Sequence, residues 1–307
     1  MTAMNRYFNI AGPCNPDEHY MLPFEMRCRE VMDLVRQKQY FVIHAPRQSG
    51  KTTLLFDLVN KINAAGDYYT LYCSLESLQS IDDPAQGISI IIGIIHNAVE
   101  HLIQINFELE EPEPHNMALR FYISHLCKSL DKPLVLFFDK TECLTNSVTI
   151  SFLPQIREGH NSRYIIPFTH SMGFVGTRIL QNHKGKIWQE RKACGSINAS
   201  VFNIITETIR LPDFSREETA QLLAQHTFDT GRNFSSEVLD RIFHYTQGQP
   251  WLVNAIALQV VEKDRKKMPT SEHVDQAVET IISREKFCPH NLLERLRENG
   301  SKKYGAP

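Results

Sequence analysis

The pattern of hydrophobic and polar positions divides the chain near residue 212. Before this point, short apolar runs of strand length alternate with longer stretches of helical spacing, and after it only helical spacing recurs. The strand-like runs are rich in aromatic and β-branched residues and cover residues 40–45, 68–74, 133–138, 171–177 and 205–211. Such alternation is typical of an α/β protein with a parallel sheet. We therefore expect an α/β domain over residues 1–212 and a small helical domain over residues 213–285.

The segment after residue 212 carries clear helix-start signals. Ser215 followed by Glu218 forms a capping box, and Ser235 is a suitable N-cap for the next helix. Apolar spacing predicts two further helices, so that this part reads as four helices without strands. The segment from Cys288 is short and charged, and we expect the tail over residues 286–307 to be poorly anchored.

Composition and charge exclude several protein classes. Of the 307 residues 42% are hydrophobic and 22% are charged, which suits a globular core and excludes disordered or collagen-like chains. The 33 basic and 35 acidic residues give a net charge of −2, so the overall charge makes no case for nucleic-acid binding and leaves a local basic patch open. Seven scattered cysteines without a C-x-x-C pair indicate reduced thiols and a cytoplasmic location.

The most apolar run of the chain covers residues 88–99. It is shorter than the roughly 20 residues that a membrane-spanning helix needs, and Gly93, His96 and Asn97 interrupt it. The N-terminus lacks the basic-then-apolar pattern of a secretory signal. The run therefore predicts a buried helix, and we expect no membrane partner.

The loop after the first predicted strand carries the strongest chemical signal. It matches the phosphate-binding pattern G-x-x-x-x-G-K-[ST] with alanine in place of the first glycine. The loop residues are Ala45, Pro46, Arg47, Gln48, Ser49, Gly50, Lys51, Thr52 and the following Thr53. Backbone N–H groups of such a loop and the N-terminus of the next helix bind phosphate, the lysine adds a cation, and the Thr52 hydroxyl suits Mg²⁺. The pattern predicts a nucleoside triphosphate and Mg²⁺ as ligands.

A carboxylate ends the third predicted strand. Asp139 follows the run PLVLFF, at the end of a parallel strand where ligands bind in open α/β sheets. Such an aspartate can hold the water shell of Mg²⁺, as in the Walker B element. We therefore predict Thr52 and Asp139 as the metal-binding residues.

The residue after Asp139 departs from the usual ATPase pattern. Lys140 stands where a catalytic glutamate is expected, and a protonated lysine cannot act as a base toward water. Two other acids could take this role: Glu142, in the turn after the same strand, and Glu76, just after the strand at 68–74. Both remain open, each also being interpretable as a solvated loop residue.

Two further motifs suggest contacts to a bound nucleotide. The run FVGT-Arg178 ends a predicted strand in a cation that could sense a γ-phosphate, although Arg178 could also be an ordinary surface residue. The run TQGQPW places Pro250 at the start of a predicted helix. That proline either has only this helix-starting role or also packs on the adenine or ribose of the nucleotide.

Taken together, these motifs resemble those of bacterial AAA-like ATP-binding proteins, which lie near the archaeal-type and STAND-class ATPases. The resemblance covers roughly residues 5–298 and rests mainly on HAPRQSGKTT, LVLFFD, RLPDFS and TQGQPWLVNA. It implies a parallel sheet in the order 5-1-4-3-2 followed by a helical lid. It also implies ATP and Mg²⁺ as ligands, γ-phosphate sensing by Arg178 and a lid contact by Pro250.

Where relatives read Asp-Glu, this chain reads Asp139-Lys140, which argues against fast hydrolysis. Relatives also continue past the point that matches Leu292–Glu298, so we expect this chain to lack a C-terminal module. The favoured hypothesis is an ATP-dependent switch with slow or absent hydrolysis that signals to a protein partner or to another copy of itself. The alternatives are an active ATPase using Glu76 or Glu142, a scaffold without catalysis, and a nucleic-acid-associated ATPase. The last rests on two lysine-rich clusters, at residues 184–192 and 263–267.

Overall fold

The computed structural model describes residues 6–103, 114–177, 203–263, 267–283 and 290–301. The chain divides into two compact units. We call them the sheet unit, made of Cys28–Arg47 and Leu54–Leu211, and the helical unit, made of Met1–Arg27, Gln48–Thr53 and Pro212–Pro307.

Five parallel strands form the sheet. They are β1 (Tyr40–His44), β2 (Tyr69–Ser74), β3 (Leu134–Asp139), β4 (Ser171–Gly176) and β5 (Ile205–Arg210). Their order across the sheet is β2-β3-β4-β1-β5, and each neighbouring pair is parallel. Read from the other edge, this is the order 5-1-4-3-2, so the predicted fold class and strand order are confirmed.

Apolar strands and helix faces form the core of the sheet unit. All six residues of β3 are buried, as expected for a strand covered on both faces. The helices of this part of the chain are α2 (Glu30–Arg36), α3 (Lys51–Ala65), α4 (Pro84–Leu102), α5 (His115–Ser129) and α6 (Asn146–Ser162). Short 3₁₀ turns follow β2 (Glu76–Leu78) and β3 (Thr141–Cys143).

The apolar run at 88–99 lies within α4 and is a buried helix face, as predicted. Ile88, Ile91, Ile95 and Val99 recur at helical spacing, and each is at most 1% exposed. Within the ranges that the structure covers, every helix is too short or too polar to cross a membrane.

Within the described residues, the helical unit contains six helices. They are α1 (Phe24–Arg27), α7 (Arg216–Thr230), α8 (Ser236–Thr246), α9 (Pro250–Lys263), α10 (Ser271–Ser283) and α11 (His290–Ser301). The capping box of Ser215 and Glu218 is present, and the Ser235 side chain caps α8. The predicted starts of these two helices are therefore confirmed.

The N-terminal segment packs in the helical unit, whereas the sequence pattern grouped it with the sheet. Phe8, Tyr20 and Leu22 share one apolar core with residues of α7 to α11. At the surface of this unit the Arg6 guanidinium pairs with the Asp229 carboxylate at 3.0 Å. Aromatic residues in an irregular segment give no periodic signal, which is why the pattern did not reveal this packing.

Helix α11 lies in the segment that we expected to be poorly anchored. Leu292, Leu293 and Leu296 are each at most 3% exposed, and the Asn299 amide donates to the carbonyl oxygen of Tyr245 at 2.9 Å. The expectation is therefore wrong over residues 290–301, because three leucines on one helix face outweigh the high charge of the segment.

Candidate functional site

The candidate site begins at the carboxyl edge of the sheet. Strand β4 lies between β1 and β3, with His44 paired to Gly176 and Phe138 paired to Phe174. Because the strands are parallel, the residues that follow β1, β3 and β4 leave the sheet at the same edge. The phosphate-loop pattern starts there, and the Ala45 N–H donates to the Gly176 carbonyl oxygen at 3.2 Å.

The loop between β1 and α3 has two residues in the left-handed conformation. Gln48 has φ 60° and Gly50 has φ 82°, with the buried Ser49 between them. Helix α3 begins at Lys51. When residues in the left-handed conformation alternate with residues of negative φ, successive N–H groups point to the same side of the backbone. This arrangement makes a concave anion-binding surface. The loop therefore has the backbone form that the sequence motif requires.

Contacts within the helical unit hold the second half of this loop. The Gln249 side-chain amide donates to the Gln48 carbonyl oxygen at 3.1 Å. The Cys14 N–H donates to the Thr53 hydroxyl oxygen at 3.0 Å. Neither Gln249 nor Cys14 was predicted to contact the loop. Gln249 lies inside the TQGQPW motif, which was the available signal, whereas Cys14 has no comparable pattern.

Asp139 ends β3 and is 1% exposed. One of its carboxylate oxygens accepts from the Tyr72 hydroxyl at 3.1 Å, and the other accepts from the Lys140 N–H at 2.8 Å. Burial raises the pKa of Tyr72 and the nearby Asp139 charge raises it further, so this hydroxyl stays protonated and remains a donor. Sequence analysis missed Tyr72, because its contact to Asp139 depends on the register of β2 against β3.

Lys140 and Glu76 form an ion pair. Lys140 has φ 59°, and its ammonium contacts the carboxylate of Glu76 in the 3₁₀ turn after β2. The Glu76 side chain is 64% exposed and that of Lys140 is 33% exposed, so water screens the pair. One of the two acids considered as a base therefore contacts the lysine that replaces the usual glutamate.

Glu142 has a different partner. Its carboxylate accepts from the Thr177 N–H at 3.1 Å, directly after β4. Nearby, the Thr141 hydroxyl donates to the Val175 carbonyl oxygen at 3.2 Å. These bonds join the turn after β3 to the end of β4. A carboxylate engaged in this way can still accept other hydrogen bonds, since it has two oxygens.

The remaining predicted site residues lie elsewhere in the chain. Pro250 is buried and is the first residue of α9, which confirms its helix-starting role. Gly248, two residues before Pro250, has φ 74°. Arg178 and the lysine-rich segment 184–192 lie outside the described residues, as do residues 264–266 of the second cluster.

The residue types present fit Mg²⁺ with a triphosphate. Mg²⁺ favours one or two protein oxygens together with phosphate oxygens and water, and Thr52 and Asp139 offer a hydroxyl and a carboxylate. Groups of three or more His, Cys, Asp or Glu side chains that could hold a metal by themselves are absent from the described ranges.

Comparison with solved structures gives neighbours of low sequence identity. The Walker-type ATPase of Pyrococcus abyssi has a TM-score of 0.63 and 13% identity, over 95% of this chain and 79% of that one. The ORC2 protein of Aeropyrum pernix, in ADPNP–ADP complexes, has a TM-score of 0.56 and 13% identity, over 92% of this chain and 71% of that one.

A third neighbour is the ORC1 protein of Aeropyrum pernix in complex with DNA. Its TM-score is 0.53 and its identity 11%, over 88% of this chain and 70% of that one. At such identities the likeness shows the fold alone. The curated proteins give no match to this sequence.

A family model described as an AAA-like domain matches residues 18–283. The match includes the phosphate loop, all five strands and α7 to α10. The chain has the fold of the P-loop ATPases, and it belongs to the AAA-like domain family.

Proposed function

We propose that this protein is a cytoplasmic ATP-dependent switch that binds Mg-ATP and hydrolyses it slowly or not at all. The observation that carries this proposal is the backbone of the loop at residues 45–52. Left-handed Gln48 and Gly50 precede a helix that begins at Lys51, which is the arrangement that binds phosphate groups.

Individual residues have separate roles in this proposal. Lys51 pairs with the β- and γ-phosphates, Thr52 and Asp139 hold Mg²⁺, and the N–H groups of the loop bind phosphate oxygens. When bound, the metal neutralises phosphate charge. Arg178 senses the γ-phosphate, and Pro250 contacts the adenine or ribose, which couples the helical lid to the bound nucleotide.

Slow hydrolysis is supported by the partners of the two candidate bases. Glu76 contacts the ammonium of Lys140, and Glu142 accepts from the Thr177 N–H. A general base must contact the attacking water, and each of these carboxylates already contacts another group of the protein. The bound nucleotide would then persist, and a partner protein or a second copy of the chain would read the ATP-bound state.

Nucleotide binding is tested first. Binding of a fluorescent ATP analogue in Mg²⁺ is measured by anisotropy for the wild type and for Lys51→Ala, with Lys61→Ala as a control. Lys61 lies on the same helix and pairs with Asp57, one turn away, at 3.0 Å. We expect Lys51→Ala to weaken binding at least about tenfold, because it removes a cation that contacts phosphate. Equally weak binding by the wild type and Lys51→Ala would refute the proposal.

Hydrolysis by Glu76 or Glu142 is the alternative for the same site. Phosphate release at steady state is compared among the wild type, Glu76→Gln and Glu142→Gln. The switch proposal predicts slow release in all three proteins. Rapid release by the wild type that one substitution abolishes would identify that residue as the base and would replace the switch by an active ATPase.

A nucleic-acid-associated ATPase is the second candidate function. It is supported by the fold likeness to an ORC1 protein solved with DNA and by the lysine-rich clusters of the sequence. Retention on immobilised duplex DNA at low salt that falls steeply as salt rises would support it, because phosphate contacts release counterions. Absence of retention at low salt would exclude it.

A further inference from the structure

Gln249 is almost completely buried in the turn between α8 and α9, and its side chain uses both of its polar ends. It is 3% exposed. Its amide nitrogen donates to the Gln48 carbonyl oxygen at 3.1 Å, and its amide oxygen accepts from the Leu252 N–H at 2.7 Å. Its own N–H donates to the Thr246 carbonyl oxygen at 3.0 Å. The side chain therefore links the first turn of α9 to the phosphate loop.

The bond to Gln48 falls at the least favourable backbone position of the loop. Gln48 has φ 60°, a conformation that residues other than glycine seldom adopt. Rotation of the peptide between Gln48 and Ser49 would change ψ of Gln48 and φ of Ser49, leave φ of Gln48 at 60° and redirect the Ser49 N–H group. A donor placed on the carbonyl oxygen opposes that rotation.

The orientation of this peptide also determines where the next N–H group points. A trans peptide is planar, and its C=O and N–H bonds point in opposite directions. Holding the Gln48 carbonyl oxygen toward Gln249 therefore holds the Ser49 N–H on the other side of the loop. In an anion-binding loop this N–H is one of the groups that turn toward phosphate.

We infer that Gln249 is a positioning residue that preforms the phosphate loop for nucleotide by fixing the peptide between Gln48 and Ser49. The inference rests on the proposed function as far as ATP is concerned, but the loop conformation is measurable without ATP. Gln249 then has a role in the phosphate loop that is separate from the start of α9 at Pro250.

Two substitutions separate the two ends of the Gln249 side chain. Gln249→Glu keeps an acceptor for the Leu252 N–H and loses the donor to Gln48, whereas Gln249→Met has nearly the same length and loses both. We expect each variant to bind the fluorescent ATP analogue about 5- to 20-fold more weakly than the wild type. Thermal unfolding of each variant verifies that it is folded.

A second substitution tests whether the effect passes through Gln48. Glycine at positive φ tolerates more orientations of the following peptide than glutamine does, so in Gln48→Gly this orientation depends more strongly on Gln249. We expect Gln249→Met to lower the affinity for the ATP analogue by a larger factor in the Gln48→Gly background than in the wild-type background. A general loss of packing in α9 would lower the affinity by the same factor in both backgrounds.

A readout without nucleotide distinguishes failure of this inference from failure of the proposed function. Trypsin cleavage after the exposed Arg47 is followed by mass spectrometry in the absence of ATP, with cleavage after the exposed Arg36 as a reference. We expect Gln249→Met to accelerate cleavage after Arg47 alone. Unchanged cleavage in a folded variant, or the same factor of lost ATP affinity for Gln249→Met in the wild-type and Gln48→Gly backgrounds, would overturn the inference. Faster cleavage together with no ATP binding by the wild type would refute only the proposed function.

Discussion

The ammonium of Lys140 contacts the carboxylate of Glu76, so the residue after the strand-ending aspartate pairs with the acid that follows the neighbouring strand. Lys140 stands at the position where the family resemblance predicts a glutamate. Glu76 is one of the two acids that the sequence offers as an alternative base.

The first prediction concerns this position. Lys140→Glu removes the cation and adds a carboxylate next to Asp139, and we expect phosphate release to rise by roughly 10²-fold, a usual contribution of a general base. Steady-state phosphate release with saturating Mg-ATP measures the effect. Lys140→Gln is the control, because it removes the cation without adding a base. No increase in Lys140→Glu, in a protein that still binds ATP, would show that hydrolysis is limited elsewhere.

The second prediction concerns the hydroxyl that donates to Asp139. Tyr72→Phe leaves this buried carboxylate with one donor fewer, and we expect the free energy of unfolding to fall by about 1–3 kcal/mol. Urea denaturation measures the change. Tyr69→Phe is the matched control, because Tyr69 lies on the same strand and donates to the exposed Asp131 at 2.9 Å. Equal losses of unfolding free energy in Tyr72→Phe and Tyr69→Phe would show that the burial of Asp139 does not make its hydrogen bond from Tyr72 more stabilising.

The third prediction compares two glycines of nearly the same conformation. Gly248 has φ 74° and Gly231 has φ 72°, but a Cβ atom at Gly248 would lie 1.8 Å from the Phe214 carbonyl oxygen, whereas one at Gly231 meets nothing within 4 Å. We expect Gly231→Ala to cost about 1 kcal/mol for the left-handed backbone alone. Gly248→Ala should cost at least about 3 kcal/mol, since the neighbouring backbone must also move.

Thermal or urea unfolding tests this comparison directly. Similar losses in the free energy of unfolding for Gly248→Ala and Gly231→Ala would mean that the backbone of the turn before α9 can move at little cost. The structure would then not explain why glycine stands at residue 248.

The fourth prediction concerns pH. Burial lowers the pKa of His226, and the nearby Arg232 lowers it further, so the folded protein favours the neutral ring. The unfolded chain takes up the proton near pH 6.5, and lowering the pH from 7.5 to 5.5 therefore favours unfolding. We expect His226→Phe, which suits the surrounding Phe8, Tyr20 and Phe234, to reduce this pH dependence. If the unfolding free energy of His226→Phe depends on pH as strongly as that of the wild type, His226 is not the cause of this dependence.

Local patterns were sufficient to predict the strands of the sheet. The strand positions and the capping box at Ser215 agree with the structure, because each depends on signals within a few residues. The order of the strands was expected from the family resemblance and also agrees. Helices α2 and α6 were not predicted, and α6 contains Pro154, which weakens its helical pattern.

Contacts between distant segments could not be predicted. The bonds from Tyr72 to Asp139 and from Gln249 to Gln48 join residues 67 and 201 positions apart, and no periodicity records such proximity. The chemical types in the candidate site were visible in the sequence, whereas the partners that orient them depend on tertiary register. The anchoring of α11 was missed because its charge was given more weight than its three leucines.

The N-terminal segment has a consequence for the order in which the molecule is made. Its Phe8 and Tyr20 share a core with helices that follow residue 212, and Arg6 meets Asp229 across 223 positions. On the ribosome this segment emerges before the sheet, and its partners arrive only after the whole sheet has been translated. Phe8 and Tyr20 therefore have no core to pack into during this interval, and a stall in translation before residue 212 would leave them exposed to chaperones and proteases.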